Sequence, residues 1–268
     1  MNTLERALIE KVGRENGWEN VIESNDSVVV LASARHQAQL SITPSNSTDS
    51  LLLQVSSGLI HQELVRSLNI TAHESSKIIV PDIDQHARLL RRTAELAQSL
   101  PNQAARTYAA RVKEALERIL PNSTEVERLV KQRVGQDTFR EALMDYWAGA
   151  CAVTGIALPE VLRASHAKPW ADCDCDEERL DVFNGFLLSA NLDALFDRGL
   201  ITFDEASRLI CSPKLTPQQL SSLQLHDGLS LRWLAPEHEQ YLFWHRSKVF
   251  QSTSLFRGNV TGTALIIQ

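Results

Sequence analysis

The chain of 268 residues reads as an α+β protein, and three patterns predict this. Apolar and polar residues alternate in short β-rich runs between residues 28 and 56. Apolar residues recur at helical spacing from about 84 to 147, and beyond Cys151 a strand, a polar loop, a second strand and a short helix follow one another. The expected organisation is a small N-terminal α/β module (1–80), a basic helical connection (81–120) and a C-terminal unit (121–268), on ordinary domain sizes.

Each element has its own signal. Leu4, Ala7, Leu8 and Val12 fall at helical spacing and Gly17 stops the run, which predicts a short amphipathic helix. SVVVLASA, QAQLSIT and SLLLQVS are strand-like runs separated by polar breakers such as TPSNSTDS, so a small sheet of mostly antiparallel neighbours is expected. GLIHQELVRSL reads as a helix and KIIVP as a short strand or linker. Asp84 to Leu116 reads as a helical pair broken at SLPNQ, where Pro101 ends the first member. Pro121 and the Ser123/Thr124 cap, with Glu127 completing a capping box, open a further helix that runs to Ala148. Leu129, Phe139, Leu143 and Trp147 on it are expected to pack on the C-terminal unit.

Composition narrows the setting. An apolar content of 43 % with 22 % charged residues is that of a globular chain, and the longest apolar run, Val28 to Ala32, is too short to span a bilayer. No signal-peptide order of residues appears, and Cys151, Cys173, Cys175 and Cys211 make no disulfide framework. A cytoplasmic protein with free thiols is expected, without a membrane partner. The net charge of −6 argues against indiscriminate coating of nucleic acid, yet Gln85 to Arg140 holds eleven basic residues against six acidic ones. That local excess reads either as solvated helix faces or as a track for phosphates.

The residues that carry chemistry begin at PEVLRASHAKPW. Strand alternation places Leu162, Ala164 and His166 on one face and Arg163 and Ser165 on the other, and Pro169 ends the strand. NGFLLS resumes as a strand after a polar loop, and NLDALFDRG gives a helix from about Asn191 to a Gly199 C-cap. Asp193 and Asp197 are four residues apart and share a face of that helix. The acidic run DCDCDEERLD lacks the turn glycine and terminal glutamate of a calcium loop and reads as solvated. His245, in YLFWHRSKVF, reads as a structural residue on a terminal helix.

This order resembles the ββα-metal fold of the HNH endonucleases, and in particular bacterial HNH proteins related to restriction enzymes. The resemblance runs from about Val130 to Phe250 and includes QRVGQDTFREAL, the CAVTG turn, ASHAKPW and NGFLLSANLDALFDRGLITFD. It implies a C-terminal HNH nuclease domain in which His166 is the general base, Asn184 fixes the base and the loop, and Asp193 and Asp197 hold a divalent metal. The chemistry agrees, since histidine suits proton abstraction near neutral pH and paired carboxylates suit Mg²⁺ or Mn²⁺.

The sequence departs from the family pattern in three places. Ser165 stands where many members place a metal-ligating His or Asp. Aspartates on the helix favour oxygen-seeking cations over Zn²⁺ or Ni²⁺. The two CxxC pairs of zinc-bearing members shrink to Cys151 with Thr154 and Ser189 with Leu192, so no structural zinc is expected. Arg198 and Arg163 are candidate phosphate contacts. The implied activity is DNA cleavage in restriction or defence, with the N-terminal module choosing the target and a homodimer possible. A degenerate HNH fold kept for nucleic-acid binding, or an RNase, is the alternative.

Overall fold

In the computed structural model, residues 1–45, 50–70, 76–81, 83–100, 102–118 and 124–252 are described. The expected break at Pro101 and the cap at Pro121 and Ser123 lie outside them. The N-terminal alternation builds one antiparallel sheet. A helix, α1 (Thr3–Glu15), is capped by Asn2, whose side chain accepts from the Glu5 amide while the Glu5 carboxylate accepts from the Asn2 amide. Strands β1 (Asn20–Ser24), β2 (Val29–Ala32), β3 (Gln39–Pro44) and β4 (Leu51–Val55) then pair in sequence order. After α2 (Gly58–Leu68), strand β5 (Ile78–Val80) adds to β4. Leu31 faces Leu40 and Ile42 faces Leu53, so the buried residues of neighbouring strands meet on one side of the pleat. Strand β1 went unread in the sequence because NVIES is wholly exposed and carries no alternation.

That apolar side packs against α1, α2 and α3 (Ile83–Ser99), and α3 leads into α4 (Gln103–Arg118) and α5 (Thr124–Tyr146). The helices of 81–120 therefore pack both on the sheet and on α5. Arg92, counted among the basic residues of a possible phosphate track, is buried: its guanidinium donates to Ser67 Oγ, to Glu95, and to the carbonyls of Asp145 and Tyr146 at the end of α5. A buried guanidinium with that many acceptors ties helices together and is closed to phosphate. Tyr146 reaches the other way, its hydroxyl donating to the fully buried Glu63 of α2 at 2.8 Å, and Glu63 is paired with Arg66. Other members of the basic set are also engaged: Arg91 with Asn16, Arg111 with Glu141, and Arg140 with the carbonyls of Pro159 and Leu162.

Helix α5 changes character along its length. Its first half is solvated, and Leu129, expected to pack, is 54 % exposed because none of the described residues covers that turn. Its second half buries Gly135, Phe139, Ala142, Leu143 and Tyr146. Beyond it the C-terminal unit comprises β6 (Leu162–His166), a loop holding the single turn α6 (Asp176–Arg179), β7 (Gly185–Ser189) and α7 (Ala190–Asp197). A second hairpin follows in β8 (Ile201–Phe203) and β9 (Leu209–Cys211), then α8 (Pro217–Ser222) and α9 (Glu239–Lys248). Both α5 and α7 pack on the β6–β7 hairpin, in which His166 lies opposite Gly185. Buried side chains from Ile9 to Leu242 join in one core. Among the described residues no helix is long and apolar enough to cross a membrane.

Candidate functional site

His166 is the last residue of β6, and its ring turns toward α5. The imidazole stacks on Phe139 with ring centroids 3.8 Å apart and planes 14° from parallel, while Trp170 meets it edge-on at 5.9 Å. Its Nε2 lies 2.8 Å from the carbonyl oxygen of Arg179. A carbonyl can only accept, so Nε2 carries the hydrogen and Nδ1 keeps its lone pair. Burial pushes the imidazole down to about 4 against the opposing pull of the Arg179 carbonyl, which keeps the ring neutral at physiological pH.

Asn184, fully buried just before β7, holds the loop rather than the ring. Its Oδ1 accepts from the Lys168 amide at 2.8 Å, and its Nδ2 faces the carbonyls of Lys168 and Glu178 and the Cys173 sulfur at 3.1 to 3.3 Å. Its own carbonyl accepts from the Ala167 amide. Both ends of the loop are thereby fastened to one side chain, and the carbonyl that meets His166 belongs to the residue after Glu178. Lys168 adds ion pairs to Glu178 at 2.7 Å and Asp174 at 3.5 Å across the same loop.

The other side of the hairpin is acidic. Ser165, one residue before His166, is buried and its hydroxyl donates to Asp193 on α7. Asp197 follows one turn later, and its carboxyl is pushed up to about 6 by desolvation and by the Asp193 charge, with Arg198 opposing. Because Asp197 as a residue is exposed, the like charge beside it is the weightier physical cause. The helix closes as its pattern predicted: Gly199 takes a φ of +64°, and a Cβ there would sit 2.1 Å from the Val249 carbonyl oxygen. His245 fixes that end, its Nε2 donating to the Phe196 carbonyl, its Nδ1 accepting from Thr202, and its ring stacked 3.9 Å from that of Phe196. It is structural.

Arg198 and Arg163 are both exposed, and Arg163 spends part of its guanidinium on the carbonyls of Glu160 and Leu162. The donor set of Asp193 and Asp197 fits a hard divalent cation, since Mg²⁺ is commonly held by one or two carboxylates with water and substrate oxygens completing its sphere. Among the described residues no group of three or more His, Cys, Asp or Glu side chains is placed to hold a metal.

The shortened cysteine pairs do come together. The Cys151 sulfur accepts from the amides of Thr154 at 3.4 Å and Ser189 at 3.3 Å, so peptide groups occupy this thiol. Cys173 is buried beside Asn184 while Cys175 is exposed, which separates the CxC step. Phe139 and Trp170 escaped the sequence reading as partners of His166. Their signal was a glycine and a phenylalanine one turn apart in QRVGQDTF, an unusual placement inside a helix.

No curated protein matches the chain. Residues 151–204, which hold β6, the loop, β7 and α7, match the family model described as HNH endonuclease.

Proposed function

We propose that the protein is a metal-dependent endonuclease that hydrolyses phosphodiester bonds of DNA, acting in the cytoplasm in restriction or in defence against foreign or modified DNA. The observation that carries the reading is the unblocked Nδ1 lone pair of a neutral His166, adjacent in sequence to the serine that donates to Asp193. His166 takes the proton of a water whose oxygen attacks phosphorus, and the bond from phosphorus to the leaving sugar oxygen breaks as that oxygen gains a proton from solvent. Asn184 holds the loop whose Arg179 carbonyl sets the tautomer. Asp193 and Asp197 would hold Mg²⁺ or Mn²⁺, and the cation would supply stabilisation of charge on the phosphate and the leaving oxygen. Arg198 and Arg163 contact flanking phosphates, and the N-terminal sheet module selects the target. A homodimer would let one protein cut both strands.

One observation favours a second reading. Ser165 occupies a position where family members place a metal ligand, and it uses its hydroxyl on Asp193, as a fold retained only for binding nucleic acid could. Purified protein incubated with plain and modified duplex DNA and with RNA, in Mg²⁺, Mn²⁺ or EDTA, separates these readings. Metal-dependent DNA cleavage that falls by about 10² to 10⁴ in His166→Ala, with DNA affinity retained, is the expected result. Wild-type turnover in that variant would remove His166 from the mechanism.

A further inference from the structure

The two rings that touch His166 are each admitted by a missing side chain. Gly185 faces His166 across the hairpin, and a Cβ there would lie 2.5 Å from Cζ of Phe139, 2.9 Å from the Ser165 carbonyl oxygen and 3.1 Å from Cδ1 of Leu143. Gly135 lies on α5 one turn before Phe139, and a Cβ there would lie 2.3 Å from Cη2 of Trp170. Neither glycine is among those with positive φ, so alanine meets no backbone objection at either position and space alone excludes it. A glycine in the middle of a helix weakens that helix, so its presence at 135 calls for a packing reason. The reason here is the Trp170 indole.

Half of the seat comes from outside residues 151–204. Phe139 and Gly135 belong to α5, and Arg140, next to Phe139, anchors that helix to the start of β6 through the carbonyls of Leu162 and Pro159 at 2.7 and 2.8 Å. Trp170 is itself held by its fit against Gly135 and by the Arg179 guanidinium, 5.8 Å from its ring centroid. The same Arg179 offers the carbonyl that receives Nε2. A ring stacked on one partner and met edge-on by another keeps its plane, and the carbonyl fixes which nitrogen faces outward.

We propose that Phe139 and Trp170, admitted by Gly185 and Gly135, are positioning residues that hold the His166 imidazole with Nδ1 presented for proton transfer. This rests on the reading of His166 as the general base. A displacement of about 1 Å at a reacting group can cost on the order of 100-fold in rate, so small errors in this seat would be visible in turnover.

The test uses the full chain, labelled with ¹⁵N-histidine, with the His166 signals assigned by their loss in His166→Gln. In the wild type they should report a single Nε2–H tautomer. In Phe139→Leu they should move toward a mixture of tautomers, and kcat should fall by about 10- to 100-fold with DNA affinity within about twofold of wild type. Gly135→Ala, whose added methyl meets the Trp170 indole first, should fall similarly, and the double variant Gly135→Ala/Trp170→Leu should be no worse than Trp170→Leu alone, because the smaller side chain makes room for the added methyl. Additive losses, or a wild-type tautomer and wild-type kcat in Phe139→Leu, would overturn the proposal. The tautomer measurement needs no cleavage, so the two failures stay apart. A lock present in the wild type and lost in Phe139→Leu supports the seat even where His166→Ala still cleaves, and that second result overturns the base alone.

Discussion

The two faces of the β6–β7 hairpin solve opposite problems with adjacent residues. On the α5 face His166 lies among Phe139 and Trp170, with one nitrogen committed to a carbonyl and the ring kept neutral by burial. On the α7 face Ser165 meets Asp193, whose charge helps to raise the Asp197 carboxyl one turn later. A proton acceptor gains from a dry, rigid setting, whereas a hard cation needs carboxylates in reach of water and substrate oxygens. Strand alternation allows both, since consecutive residues point to opposite sides of the sheet. The chemistry of the site thus depends on what each face is packed against.

The largest effect that would sharpen this comparison is expected on the open face. Asp193→Ala or Asp197→Ala should lower cleavage at fixed Mg²⁺ or Mn²⁺ by about 100-fold or more, since a cation contributes several kcal/mol of charge stabilisation. Excess metal should partly restore the weaker of the two, and calorimetric titration of Mn²⁺ reads the affinity directly. Equal metal affinity in wild type and both variants would move the cation away from α7.

A smaller effect belongs to the loop that joins the faces. Asn184→Ala leaves the Lys168 amide and the carbonyls of Lys168 and Glu178 without their partner in a buried place. Each orphaned group costs about 1–3 kcal/mol, so the loss should appear as a melting temperature lower by several degrees. Cleavage should slow as well, through the displaced Arg179 carbonyl. An unchanged melting temperature would mean that Lys168 and its two acidic partners hold the loop unaided.

What the sequence made legible follows the range of the interactions involved. The i,i+4 aspartates, the strand ending at His166, the Gly199 cap and the strand runs of an antiparallel N-terminal sheet are all local patterns, and each has its counterpart in the structure. Arg92 was misread because charge counting does not see acceptors 53 and 54 residues away. Leu129 was misread because helical spacing does not say where a helix leaves the core. Phe139 lies 27 residues before His166 in the chain, and no periodicity links them. The partners of a catalytic candidate are long-range contacts, whereas its identity is a short motif.

The smallest expected effect concerns the arginines beside each face. Arg163 already donates to the carbonyls of Glu160 and Leu162, while the Arg198 side chain is exposed at the end of α7 beside Asp197. A phosphate contact releases counterions, and removing one such contact should lower the slope of log affinity against log salt by about 1. If the acidic face is where the backbone lies, Arg198→Ala should show most of that change. Arg163→Ala should show less, because its guanidinium is partly spent on peptide oxygens. Both variants should keep wild-type discrimination among DNA sequences, since phosphate contacts position the duplex without reading bases. A salt titration of binding on the two variants decides the matter. A larger slope change in Arg163→Ala would place the backbone across the start of β6 and make Arg198 a partner of Asp197 alone.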